Sequence, residues 1–255
     1  MIPPATNFDD AAVDYAIQLQ QGLQLTGENP DFFARARVRW MAVRLGIRLP
    51  DRQPREPLPR SIPAASIPAA ALPLEPRIVD FGCGIGTALP ILDECFQPSS
   101  LVGVDTSKKS IEIAKSRFVD VPKISLDTLA DYRPLEDFHL AYCNGVFHHI
   151  QPVERAEAYG WIHRALKKQG VLCLWENNPW NPGTRLVMRG IPFDRDAIML
   201  SAREAKRDLV QAGFRVIKID YCFYFPRPLA WLRSLEPFLH RLPLGGQYCV
   251  IAEKR

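Results

Sequence analysis

Two adjacent histidines, His148 and His149, and a glutamate, Glu176, are the groups in this chain best suited to move a proton. An unperturbed imidazole titrates near pH 6.5, which lets it act as a base at neutral pH. Either histidine can instead pack under the helix expected to start near Pro152, and Glu176 can simply fix the loop after it by accepting backbone hydrogen bonds. Three other carboxylates close apolar runs: Asp80 in "RIVDFGCGIGTALPIL", Asp105 in "LVGVD", and Asp127 just after "KISL". Asp105 can accept hydrogen bonds from both hydroxyls of a ribose, and Asp127 can reach the edge of an adenine. Gly82, Gly84 and Gly86 allow a tight turn and a close approach of ligand to bare backbone. Thr87 stands where a dinucleotide-binding pattern needs its final glycine. Three acids, with no basic side chain in the turn, suit a positively charged ligand better than a pyrophosphate.

The elements that must position these groups alternate along the chain. Strands are expected at "RIVDF", "SLVGVD", "KISL", "FHLAYCN", "GVLCLWEN", "FRVIKIDYCFYF" and "QYCVIAEK". Helices fit between them at "TALPILDECF", "SKKSIEIAKSRF", "VERAEAYGWIHRALKK" and "SAREAKRDLVQAG". This alternation predicts an α/β doubly wound sheet, in which ligands bind beyond the carboxyl ends of the strands. Residues 8 to 49 read as a helical cap, clearest over "NPDFFARARVRWMAVRL", where Asn29 can cap and Pro30 suits the first helical position. Eight prolines between Pro50 and Pro76 make that stretch an extended linker. The expected division is cap 1–49, linker 50–76 and ligand-binding domain 77–255.

The 255 residues, 47% hydrophobic and 24% charged with net charge +4, describe an ordinary globular protein. Lysines and arginines are scattered among acids, which argues against a nucleic-acid partner. The six cysteines form no CxxC pair and mostly lie in apolar runs, so neither disulfides nor a metal site is expected. No basic region followed by an apolar core opens the chain, and no window reaches about 18 uninterrupted apolar residues. A cytoplasmic location is the expectation.

"VDFGCGIGTALPIL", "LVGVD" and "YCNGVFHHIQP" resemble the first, second and fourth motifs of class I S-adenosylmethionine-dependent methyltransferases. The resemblance covers roughly residues 77 to 255 and implies a Rossmann-like sheet of seven strands with an antiparallel last strand. It also implies S-adenosylmethionine as cofactor and S-adenosylhomocysteine as product. By resemblance, Asp80, Gly82, Cys83 and Gly84 approach the amino-acid part of the cofactor. Asp105 with Thr106 holds the ribose, and Asp127 with Thr128 contacts the adenine. Asn144 and Gly145 line the sulfonium, with Phe147 or His148 beside it. The helix pair and "ENNPWNPGTR" further resemble a bacterial subgroup linked with small-molecule, sugar or lipid-linked methylation.

Substrate should lie at the carboxyl end of the fifth strand, against Asn178, Trp180 and Arg185, with Tyr15 from the cap. Phe8, Tyr15, Phe32 and Phe33 are expected to help close the cofactor site against water. In "PRPLAWLRSLEPFLHRLPL", Leu229, Leu232, Leu235, Leu239 and Leu242 recur at helical spacing; core packing is the commoner use of such a stripe, and Pro237 would bend it. A membrane-surface helix is disfavoured by Glu236, which interrupts the cationic polar face. The expected activity is O-methylation of a small-molecule, sugar or lipid-linked acceptor. Its rivals are C- or N-methylation, a cyclase using the sulfonium as a fixed charge, a nicotinamide-dependent oxidoreductase, and a non-catalytic cofactor-binding subunit.

Overall fold

The computed structural model describes residue 9, residues 15–47 and 49, and residues 72–255; Phe8 and nearly all of the proline-rich stretch lie outside it. Seven strands form one sheet in the order β3-β2-β1-β4-β5-β7-β6. They are β1 (Arg77–Phe81), β2 (Ser100–Asp105), β3 (Ile124–Thr128), β4 (Phe138–Asn144), β5 (Leu166–Asn177), β6 (Phe214–Cys222) and β7 (Gln247–Lys254). The first five run parallel, and β7 is antiparallel to both β5 and β6. Strand order reverses between β1 and β4, which opens a crevice between Asp80 to Gly82 on one side and Asn144 to Gly145 on the other. This is the class I methyltransferase Rossmann-like fold.

Helices cover both faces, and α1 (Tyr15–Leu23) precedes them in the cap. One core joins Val79, Phe81 and Leu174 to Tyr159 and Trp161 of α5 (Arg155–Ala165) and Leu209 of α7 (Ala202–Gln211). The opposite core joins Ile78, Tyr142 and Trp175 to α2 (Pro30–Arg44) and α3 (Leu89–Phe96). Between β2 and β3 lies α4 (Lys108–Arg117). Asn29 caps α2 by accepting from Phe32 N at 2.8 Å, and Pro30 occupies the first turn, as its sequence suggests. A buried ion pair clamps the cap to the sheet: Arg44 Nε lies 2.6 Å from Asp220 of β6, which also accepts from Trp40 Nε1 at 3.1 Å.

Several elements differ from expectation. The fifth helix gives way directly to β5 at Leu166, four residues before the strand expected at Gly170. Strand β6 stops at Cys222 because Phe223 adopts φ 65° and the next two amides donate to Glu236. Helix α6 (Pro182–Arg189) follows the loop after β5; Asn181 caps it, accepting from Thr184 N at 2.9 Å. The leucine stripe is a 3-10 helix, Arg227–Leu235, followed by the single turn α8 (Glu236–Leu239) starting just ahead of Pro237. It is not core: Leu229, Leu235 and Leu242 are exposed.

Candidate active site

The glycine turn is held by its neighbours. Gly82 and Cys83 donate to the Val104 carbonyl at 2.8 and 3.1 Å, and Gly84 donates to Asp105 Oδ2 at 2.8 Å. The other oxygen of Asp105 accepts from Ser107 N at 2.9 Å, so one carboxylate ties the turn to the start of α4. Asp9 reaches the same helix start, accepting from the Ser107 hydroxyl at 2.6 Å and from Lys109 N at 3.1 Å. Gly82 and Gly84 both have positive φ, for different reasons. A Cβ at Gly82 would lie 2.2 Å from Val146 Cγ2, whereas one at Gly84 would meet nothing within 4 Å.

That open space belongs to a cavity of about 540 Å³ lined by Asp80, Gly82, Cys83, Gly84, Asn144 and Gly145 on the sheet side. Asp80 is 2% exposed and accepts no hydrogen bond among the described residues. Burial, then the Asp105 carboxylate, push its pKa up to about 8. Burial also raises that of Asp105, against three backbone amides that favour its charge. A buried acid with no partner and vacant space over Gly84 fit the ammonium of a ligand's amino-acid end; Asp105, whose two oxygens accept from Gly84 N and Ser107 N, stands behind the turn and outside the cavity wall. The residues present therefore suit S-adenosylmethionine. Asp127 and Thr128 end β3 outside the cavity, with Asp127 Oδ1 accepting from Thr128 N at 2.9 Å, and Thr106 is exposed next to Asp105.

Beyond Gly145, Glu176 at the end of β5 is fully engaged. Its Oε1 accepts from Val146 N and Phe147 N at 3.0 and 2.7 Å, and its Oε2 pairs with His148 Nδ1 at 2.6 Å. The second ring nitrogen of His148 faces Asp194 Oδ1 at 3.5 Å, and His149 Nε2 faces the same oxygen at 3.3 Å. Burial opposes a charge on His148, yet the two carboxylates outweigh it and push its pKa up to about 10. His149 moves the other way, its imidazolium disfavoured by burial in spite of Asp194. Both histidines line the cavity, while Phe147 turns into the core and stacks on Tyr159 at 4.1 Å.

Of the residues expected to hold substrate, the structure brings none of Asn178, Trp180 and Arg185 to the cavity wall. Asn178 is fully buried, and its amide donates to the Pro243 and Gly245 carbonyls, so it fastens a loop. Trp180 is 74% exposed, and Arg185 lies on the outer face of α6. The Tyr15 side chain lies outside the described residues; Phe32 and Phe33 line the cavity.

The sequence reading missed Arg37 and Asp194. Arg37 enters the cavity from α2 and donates to Gln247 Oε1 at 3.1 Å. Its buried Nε has no hydrogen-bond partner, and it pairs with no carboxylate among the described residues. The available signal was its place three residues before Trp40, on the buried side of the helix.

Comparison with known proteins agrees with this geometry. Residues 79–172 match the family described as a methyltransferase domain. The chain is 32% identical over 190 residues to a trans-aconitate 2-methyltransferase of Acidovorax ebreus, covering 67% of this chain and 72% of that protein. A trans-aconitate 2-methyltransferase of Acidovorax sp. is 29% identical over 191 residues, with the same shares covered. A SAM-dependent methyltransferase from Archaeoglobus fulgidus superposes with a TM-score of 0.57 at 16% identity, over 89% of this chain and 95% of that one. The chain belongs to the class I S-adenosylmethionine-dependent methyltransferases. It is an enzyme of that class, with S-adenosylmethionine as its cofactor.

Proposed function

We propose that the methyl group goes to an acidic oxygen, a carboxylate above all, on a small acceptor whose body is apolar or lipid-linked. Arg37 is the observation that carries this reading: a guanidinium in the cavity with no carboxylate partner among the described residues. Phe32, Phe33, Trp175, Met188, Ile191 and Phe223 make the walls around it apolar. The cavity's other arginine, Arg233, is already paired with Glu28 at 2.8 Å. One uncommitted cation suits one carboxylate on an apolar body better than the three of aconitate, although the relatives' names support a carboxyl acceptor.

When bound, S-adenosylmethionine supplies an electrophilic methyl on sulfur. Asp80 would hold the cationic amino-acid end, Asp105 with Thr106 the ribose, and Asp127 with Thr128 the adenine edge. Asn144 and Gly145 would set the depth of the methyl group, and Arg37 would orient the acceptor oxygen for in-line attack at about 3 to 3.5 Å. A carboxylate arrives ionised and needs no base. Should the acceptor be a hydroxyl, His149, kept neutral, is the base, while Glu176, Asp194 and the cationic His148 position it.

The test is kinetic, with a deuterated methyl donor and a panel of apolar carboxylic acids, hydroxylated analogues and trans-aconitate. Methyl ester formation on an apolar acid, with Arg37→Met raising KM for it at least tenfold at unchanged cofactor affinity, is expected. Loss of cofactor affinity in that variant would assign Arg37 to the cofactor and remove the reading's main support. A product bearing its label on carbon or nitrogen, or one with no label, would select the rival chemistries.

A further inference from the structure

We propose that the rim of the cavity, formed by the Arg227–Leu239 segment, the Leu242 to Leu244 turn and the Trp180 loop, docks on an anionic lipid surface. Of the chain's five tryptophans, Trp40, Trp161 and Trp175 are buried, while Trp180 and Trp231 are 74% and 75% exposed. On the same elements Phe238 is 74% and Leu244 61% exposed. Single exposed apolar residues are ordinary; two tryptophans and a phenylalanine exposed on connected elements are not.

These elements form one continuous structure. Asn181, next to Trp180, donates to the Leu244 carbonyl at 2.7 Å, and the Tyr224 hydroxyl contacts the carbonyls of Leu239 and Leu242 at 2.6 Å each. They also reach the cavity: Asn181, Arg233 and Glu236 line it, and Leu186 and Pro226, which adjoin them in sequence, are at once exposed and part of the cavity wall.

Charge selects the occupant. Residues 179–190 and 226–246 contain a single acid, Glu236, against Arg185, Arg189, Arg227, Arg233 and Arg241. Glu236 is turned inward, accepting from Tyr224 N and Phe225 N at 3.1 Å each and lining the cavity, so it does not interrupt the outer face. Arg185, Arg189, Arg227 and Arg241 are exposed and form no ion pair among the described residues. Exposed tryptophan and leucine flanked by uncompensated arginines match a bilayer's anionic headgroups over acyl chains. No helix among the described residues is long and apolar enough to cross a membrane, so the contact is peripheral. Docking here would hold the cavity mouth against the surface from which an apolar acceptor is drawn.

Flotation with vesicles of phosphatidylglycerol and of phosphatidylcholine tests this on the full chain, without cofactor or acceptor, so the result is independent of the acceptor's identity. Wild type should float with phosphatidylglycerol, several-fold less with phosphatidylcholine, and progressively less as salt rises. W231S/F238S should cut the bound fraction at least tenfold with an unchanged melting temperature, and R189E/R241E should abolish the lipid preference. Wild type that stays with neither vesicle, or variants that float like wild type, would overturn the proposal. So would a dimer in analytical ultracentrifugation that W231S/F238S dissolves, which would assign the patch to a second copy.

Discussion

Gly82 and Gly84 sit two residues apart in the same turn, and replacing each with alanine should break different things. Both have left-handed φ, 75° and 53°, so each alanine costs about 1–2 kcal/mol of backbone strain. At Gly82 the new methyl would lie 2.2 Å from Val146 Cγ2, adding roughly 1–3 kcal/mol of overpacking inside the folded protein. At Gly84 it would meet no protein atom within 4 Å, because it projects into the space assigned to the cofactor. The overpacking there is felt only when ligand is bound, and about 1–3 kcal/mol is a loss of roughly 5- to 150-fold in affinity. Thermal melting with and without S-adenosylhomocysteine, together with calorimetric titration, separates the two. Gly82→Ala should melt markedly lower than Gly84→Ala, which should fall by only about 2–8 °C. Gly84→Ala should in turn be the variant that loses ligand-induced stabilisation. Wild-type affinity in Gly84→Ala would show that the vacant space over the turn is not the cofactor's seat.

Other outcomes follow from the buried charges. With its pKa near 8, Asp80 is protonated in the free enzyme at pH 6 and must ionise to receive a cation; cofactor affinity should rise with pH between 6 and 7.5, by up to about tenfold per unit. Asp80→Asn should flatten that slope in calorimetry, and an unchanged slope would remove the residue from the site. Because this acid's folded pKa lies above its unfolded value of 3.8, the free protein should lose stability as pH rises from about 4 to 8 through this group. Asp220→Ala removes the carboxylate that holds both Arg44 and Trp40 and should cost about 3–5 kcal/mol in chemical denaturation; a smaller loss would mean the cap does not rely on this clamp. Glu176→Gln should lower the His148 pKa, seen as its NMR titration midpoint moving to lower pH, towards neutrality, and a midpoint still near 10 would contradict the charge balance assigned to this cluster.

The sheet was readable because each parallel strand is a compact apolar run and the glycine turn follows the first. The positions of three acids were readable for the same reason: Asp80, Asp105 and Asp127 occupy or adjoin strand ends, where position follows directly from topology. The acceptor side was not. In "NNPWNPGTR" the asparagines, prolines and glycine all favour turns, which made Trp180 look like a pocket residue on a loop. Asn178 was misread because a buried asparagine fastening carbonyls of the 243–245 loop, 65 residues away, leaves no local trace. Asp194 lies in a 3-10 turn far from His148 in sequence, and Arg37 is hidden among the neighbouring Arg35 and Arg39. Glu236 shows the reverse error: a charge that appears to break an amphipathic face folds inward onto two amides.

Everything depends on Asp105 serving both the turn and a nucleoside. Calorimetric titration of wild type and Asp105→Ala with S-adenosylhomocysteine tests that most directly, since the alanine deletes hydrogen bonds to a charged group worth about 1.5–3 kcal/mol. Binding by wild type, weakened about 10- to 150-fold in the variant, is the predicted result. Equal affinity in the two proteins, or no binding by wild type, would contradict it.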